Sequence, residues 1–300
     1  MNVVSLDSPM VEMSLEKKAT PPAISVALAR QFDKEGFVVS RRMFSPEQMR
    51  DFIAEIQSFE LKSDRAEPLD RGGMRFYSDI FRKSELIRRF ITQPALIDFL
   101  SCIAGPDLWV RWDQAVAKGP DSGVFAWHQD NGYNRLPQQH YQVWIALSEM
   151  RKDNGGLWLV PGSHRQRIPH GRVANHFAAV GSDRYDDPDS GRVFIEAEAG
   201  DVVVFSSLTL HKTYENVTAR SRWAYVAEVM RSSDFDPTIK PPYFVAARDG
   251  RPVCEFVDHL SCSRDPRQIV KTLPLLLRYR VLGPLTRKIR AMVKAKKAAV

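Results

Sequence analysis

Three hundred residues, 44% apolar and 26% charged, suffice for one large globular domain or two small ones, and both fractions are ordinary for a soluble protein. The three cysteines, Cys102, Cys254 and Cys262, are too few and too scattered for a disulfide framework or a cysteine zinc site, so a reducing, cytoplasmic setting is expected. The net charge of +7 sits at the end of the chain. Residues 271–300 hold nine basic side chains and no acidic ones, which leaves −2 on residues 1–270 and argues against a nucleic-acid clamp on the folded body. No apolar run is long enough to span a bilayer, and no secretory signal is visible.

Residues 1–22 are polar, end in Thr20-Pro21-Pro22 and read as a mobile leader; the folded domain is expected over 23–270 and a basic tail over 271–300. Residues 25–35 suit a helix, and Gly36-Phe37-Val38-Val39 a short strand. Ser45-Pro46-Glu47-Gln48 has the form of a helix start, with Ser45 as N-cap, Pro46 at the first position and Gln48 three residues after the cap. That helix runs to about Phe59, with Met49, Phe52, Ile53 and Ile56 at helical spacing. Gly72-Gly73-Met74-Arg75 reads as a flexible loop able to close over a site, and 84–103 as a further helix.

From Leu108 the texture changes to short strand-like runs: Leu108–Val116, Tyr141–Leu147, Gly156–Val160, Val202–Phe205 and Trp223–Val229. Gly, Pro, Asn and Asp clusters separate them, the pattern of a sandwich or barrel. The predicted architecture is mainly β with flanking helices: helices first, then a double-sheet jelly roll. Residues 165–200 form a long, polar connection, read as a loop over a site.

Trp127-His128-Gln129-Asp130 carries the chemistry. Residues i and i+2 of an extended segment point to one face, so His128 and Asp130 can meet one metal ion. A second, distant histidine completes two imidazoles and one carboxylate, the facial triad of Fe(II) oxygenases, and leaves three positions for a bidentate oxo-acid and dioxygen. His211, after the strand Val202–Phe205, is the candidate. Eleven residues on stands Arg222, whose guanidinium suits a carboxylate, and Thr213 adds a candidate hydroxyl donor. Singly, each piece has a plain alternative: a chance His-x-Asp, a core histidine, a surface arginine. Spacing does not separate Arg222 from Arg220, which share a face in an extended strand. Two His and one Asp also serve zinc hydrolases, although an arginine beyond the second histidine favours the oxo-acid. A non-catalytic jelly roll that binds a metabolite need not keep all four residues.

The chain resembles the phytanoyl-CoA dioxygenase family over roughly residues 30–230. The matching pieces are Glu35-Gly36-Phe37-Val38-Val39, His128-Gln129-Asp130, Val143-Trp144-Ile145-Ala146-Leu147, Asp153-Asn154-Gly155-Gly156, Leu159-Val160-Pro161-Gly162-Ser163-His164-Arg165, and Gly200-Asp201 leading to His211 and Arg222. The resemblance implies a cupin-like double-stranded β-helix, Fe(II), 2-oxoglutarate and O2, and oxidation of a small organic substrate with release of succinate and carbon dioxide. It selects Arg222 over Arg220, makes Gln114 a candidate contact to 2-oxoglutarate, and makes His164 part of a turn instead of a ligand. It further implies oxygenation over halogenation, because related halogenases have a small residue where Asp130 stands.

Phe76, Tyr77, Trp109, Trp112, Trp127, Tyr133 and Trp158 are candidate pocket aromatics, though most are expected in the core; Arg75, Arg111 and Arg165 are candidate receptors for an anionic substrate group. The expected partner is a small molecule and not nucleic acid. Leucines interspersed with basic residues after Leu275 suggest contact with an anionic membrane surface, but Pro274 and Gly283-Pro284 interrupt any long helix and favour a segment packed on the body.

Overall fold

The structure, a computed structural model, describes residues 22–62, 69–71, 73–172, 178–180, 185–234, 236, 238–260 and 277. The leader before Pro22 and the basic tail beyond 270, Leu277 apart, lie outside the described residues. No helix among the described residues is long and apolar enough to cross a membrane.

The helices come first: α1 Pro22–Glu35, then β1 Phe37–Ser40 and α2 Pro46–Lys62. The expected capping box is formed, with Ser45 Oγ accepting from the Gln48 amide (3.2 Å) and Gln48 Oε1 accepting from the Ser45 amide (2.8 Å). Strands β2 Leu69–Arg71 and β3 Met74–Ser78 follow, then α3 Ile80–Lys83, α4 Glu85–Ile91 and α5 Pro94–Ala104. Two corrections arise here. Met74 and Arg75 are not loop: they pair with Lys118 and Ala117 in a sheet. The single helix expected over 84–103 is broken, because Pro94 has no amide hydrogen and holds Gln93 extended (φ −61°, ψ 140°).

The rest is β4 Leu108–Lys118, β5 Phe125–His128, α6 Asp130–Asn134, β6 Tyr141–Ala146, β7 Leu157–Leu159, β8 Gly171–Arg172, β9 Ala178–Ala179, β10 Val193–Ile195, β11 Val202–Ser206, β12 His211–Thr213, β13 Arg222–Arg231, β14 Tyr243–Arg248 and β15 Arg251–Val257. The large sheet runs β1-β11-β6-β13-β4-β14-β15, with β3 also on β4; the small sheet runs β10-β7-β12-β5. Every pairing in both is antiparallel. This is the expected jelly roll, extended by the β14–β15 hairpin. The connection expected over 165–200 contributes a strand, β10, to the small sheet.

Alternation along β6 explains how the layers stack. Val143 and Ile145 face the helices, in a cluster with Phe52, Phe81 and Leu96, whereas Trp144 and Ala146 face the small sheet, against Leu157, Leu159 and Ile195. Being covered on both sides, β6 reads as an unbroken apolar run. Gly200-Asp201 locks the helical layer onto the barrel. Gly200 has φ +97°, and a Cβ there would strike the Phe44 carbonyl. The buried Asp201 carboxylate accepts from the Arg42 amide (2.7 Å), the Glu198 amide (3.0 Å) and Arg41 Nη1 (2.8 Å).

Candidate active site

Strands β5 and β12 lie side by side in the small sheet, with His211 directly opposite His128. Asp130 reaches the same place by a route the alternation rule did not give. It is the first residue of α6, not part of a strand, and the extended Gln129 (φ −113°, ψ 130°) brings it round to the histidines. Asp130 Oδ1 is 3.4 Å from His128 Nε2, and Oδ2 is 3.6 Å from His211 Nε2. One ligand atom from each of the three residues lies within 4.8 Å of the others, and this is the sole such group among the described residues.

The surroundings set the protonation a metal needs. His128 Nδ1 lies 2.8 Å from the Ala126 carbonyl, and His211 Nδ1 lies 2.9 Å from the Thr209 carbonyl. Each Nδ1 therefore carries the hydrogen, and each Nε2 turns a lone pair to the common centre. Burial, then the neighbouring His128, pushes His211 down to about 4, so it is neutral at neutral pH. Burial opposes ionisation of Asp130, but the adjoining His211 and His128 prevail and hold its carboxyl low. Two imidazoles that turn Nε2 to one centre and a carboxylate beside them suit Fe(II). The Phe125 ring packs 4.5 Å from His128, and Phe205 packs 4.8 Å from His211.

Arg222 opens β13 on the face toward the small sheet, opposite Lys118 of β4. Both are buried. Arg222 Nη2 donates to the Gly155 carbonyl, presented by a left-handed turn (φ +76°) where a Cβ would stand 2.6 Å from the Tyr214 carbonyl. Arg222 Nε is buried without a partner. Lys118 Nζ donates to Thr213 Oγ1 (3.1 Å) and to the Tyr214 carbonyl. Neither basic group forms an ion pair among the described residues, although the exposed Glu215 carboxylate acts on Lys118. Burial lowers Arg222 to about 10; burial, then the Arg222 charge, lowers Lys118 to about 6. An uncompensated buried ion costs several kcal/mol, which an incoming carboxylate would relieve. Thr213, accepting from Lys118, keeps its own hydrogen to donate.

Arg220 does not share this face. It precedes β13 and is exposed, which separates two arginines that spacing left equivalent. Gln114 lies on the inner face of β4, four residues from Lys118, and its amide donates to Ser78 Oγ (3.0 Å). Arg111 is no anion receptor, being gripped by Glu228 and Asp236. Arg165 donates to the Asp33 and Lys34 carbonyls at the surface, and Arg75 is exposed on β3. His164 lies against Gly36 and the Asp33 carbonyl, outside the triad. Of the aromatics, Tyr133 stands 5.7 Å from the His128 ring and Trp112 faces inward opposite Glu228. Tyr77 and Trp109 belong to core clusters, and Trp127 and Trp158 cover the outside of the small sheet with Tyr185.

Sequence reasoning missed Lys118, His140 and His170. His170 Nε2 accepts from the Gln129 amide (2.8 Å) and braces the segment between His128 and Asp130. Lys118 alternates with Gln114 and Val116 toward the interior of β4, but a lysine is so rarely buried that the alternation read as ending before it.

The family described as Phytanoyl-CoA dioxygenase (PhyH) matches over residues 32–224. The peroxisomal phytanoyl-CoA dioxygenase of Rattus norvegicus is 25% identical over 233 residues, 67% of this chain and 67% of that protein. The ectoine dioxygenase of Bordetella bronchiseptica is 25% identical over 247 residues, 74% of this chain and 79% of that one. Among solved structures, the epimerase SnoN in complex with Fe3+, alpha ketoglutarate and nogalamycin RO superposes with a TM-score of 0.62 at 21% identity, covering 79% of this chain and 99% of its own.

Proposed function

Because the chain belongs to the phytanoyl-CoA dioxygenase family, we propose that His128, Asp130 and His211 hold its iron and that Arg222, with Thr213 and Lys118 beside it, grips the distal carboxylate of 2-oxoglutarate. The protein is an Fe(II)- and 2-oxoglutarate-dependent dioxygenase acting on a small organic molecule. The observation that carries the assignment of residues is the buried pair of basic side chains, Arg222 and Lys118, which form no ion pair among the described residues and face a His-Asp-His cluster. A zinc hydrolase has no use for such a pair.

Bound iron, 2-oxoglutarate and O2 supply the oxidising power, with 2-oxoglutarate leaving as succinate and carbon dioxide while a substrate C–H bond is oxidised. The chain supplies placement. The Ala126 and Thr209 carbonyls fix both imidazoles, and the Gly155 carbonyl fixes the guanidinium. Gln114 faces the same interior and, as the family resemblance suggests, approaches 2-oxoglutarate. A cytoplasmic location is supported by unpaired thiols at Cys102 and Cys254.

Two results are expected. Iron-loaded protein mixed with metabolites of its source gives a 2-oxoglutarate-dependent product that gains one oxygen atom or loses two hydrogens, even in high chloride, because Asp130 fills the position a halide would need. A chlorinated product, seen by mass spectrometry, would show that Asp130 is not an iron ligand. Second, carboxylate binding favours the protonated Lys118, whose pKa is lowered to about 6 in the free protein. Binding then takes up a proton, so 2-oxoglutarate affinity rises as pH falls toward 6, by at most about tenfold per unit, and levels off below. Calorimetry on Lys118→Met should give a flat profile; an unchanged slope would remove Lys118 from the cradle.

A further inference from the structure

At the other end of the inner face from Arg222, the large sheet carries a buried polar wall that neither the metal nor the carboxylate cradle uses. Glu228 on β13 stands opposite Gln142 on β6 and Trp112 on β4. Gln142 stands opposite Phe205 on β11, whose ring packs against His211. Cross-strand partners project from the same face of a sheet, so Gln142 and Glu228 look toward the metal ligands. His140, two residues before Gln142, joins them, with Nε2 3.6 Å from Glu228 Oε2.

The wall is enclosed and incompletely satisfied. His140 is 0% exposed, Gln142 1% and Glu228 5%. Both ring nitrogens of His140 and the amide nitrogen of Gln142 are buried without a hydrogen-bond partner. Each such orphan costs about 1–3 kcal/mol. Charge is unbalanced as well. Arg111 is one cation between two carboxylates, Glu228 and Asp236, and burial keeps His140 from protonating to offset the second. The wall therefore carries net negative charge.

We propose that Gln142, His140 and Glu228 are the substrate-recognition wall of this dioxygenase, and that they select a substrate with a hydroxyl group beside the carbon to be oxidised, over a bare alkyl chain or an anion. The proposal rests on the reading of His128, Asp130 and His211 as the iron site. A hydroxyl satisfies the wall in both senses: its oxygen accepts from the Gln142 amide, and its hydrogen goes to the basic nitrogen of His140 or to Glu228. An alkyl chain would leave three buried polar atoms orphaned. A carboxylate or phosphate would face Glu228 and Asp236. Trp112, on the same face, and Tyr133, near His128, offer apolar surface to the rest of the molecule.

The test uses the full chain loaded with Zn(II) and 2-oxoglutarate, so that nothing turns over. Saturation-transfer NMR titrations compare three probes on one ring system: 2-naphthol, 2-naphthoate and 2-methylnaphthalene. 2-Naphthol is expected to bind about fivefold or more tightly than the other two, the worth of one net hydrogen bond. Gln142→Leu, His140→Phe and the isosteric Gln142→Glu should each bring that preference below about twofold. Equal binding of the three, tighter binding of the naphthoate, no binding by any probe, or a preference that survives the substitutions overturns the proposal. Zinc uptake measured on the same samples separates the two readings. Zinc binding without the preference overturns the wall alone; the preference without stoichiometric zinc overturns the triad alone.

Discussion

His211→Ala should abolish 2-oxoglutarate turnover and weaken Fe(II) binding by more than about 100-fold. Loss of partners that merely orient metal ligands already costs about 10- to 100-fold, so loss of a ligand costs at least the upper figure. The reason is local. His211 sits opposite His128 across β5 and β12, and its Nδ1 is committed to the Thr209 carbonyl. Its Nε2 therefore has no other role than to face the centre shared with Asp130. An alanine leaves one imidazole and one carboxylate, too few to hold iron against water. His164→Ala is the matching control. That histidine packs between Gly36 and Asp33, so its loss should cost stability and leave iron binding unchanged. Anaerobic Fe(II) titration and succinate assay check both. Full turnover by His211→Ala, or iron loss in His164→Ala, would move the site elsewhere.

Arg222→Leu should raise the apparent KM for 2-oxoglutarate by roughly 30-fold to several thousandfold. Removing one partner of a buried charge pair costs about 2–5 kcal/mol, and each 1.4 kcal/mol is about a factor of ten. Arg222 is buried, its Nη2 is fixed by Gly155, and its Nε waits for an acceptor. Arg220→Leu removes an exposed charge before β13 and should change KM less than about threefold, as surface charges do. Arg222→Lys should recover little, because a lysine keeps the charge but not the fork that meets two carboxylate oxygens. Similar effects from Arg220→Leu and Arg222→Leu would show that the cradle lies elsewhere.

Much of this was legible in the sequence, and the failures share a physical cause. The Ser45 cap, the β6 run and the order of His128, Asp130, His211 and Arg222 are local signals: a side chain bonds its own helix end, or an apolar run reports burial on both faces. The folded β4 carries Lys118 into the interior, where cross-strand register with Arg222 decides its surroundings. No local pattern announces that. The His140–Glu228 contact likewise joins residues far apart in sequence through β6 and β13. Pro94 was visible, but apolar spacing on both sides of it read as one helix. The β14–β15 hairpin escaped because β15 is largely exposed, so its side chains give no alternation. Asp130 meets the two histidines by a route that strand alternation does not give: a helical turn after one extended residue does what a strand would have done.

The most direct test of the central assignment is anomalous diffraction at the iron edge from crystals loaded anaerobically with Fe(II) and 2-oxoglutarate. The expected map has one iron peak bonded by His128 Nε2, His211 Nε2 and an Asp130 carboxylate oxygen, with one end of 2-oxoglutarate on the metal and the distal carboxylate on Arg222. Iron bonded without Asp130, or 2-oxoglutarate held away from Arg222, would contradict it.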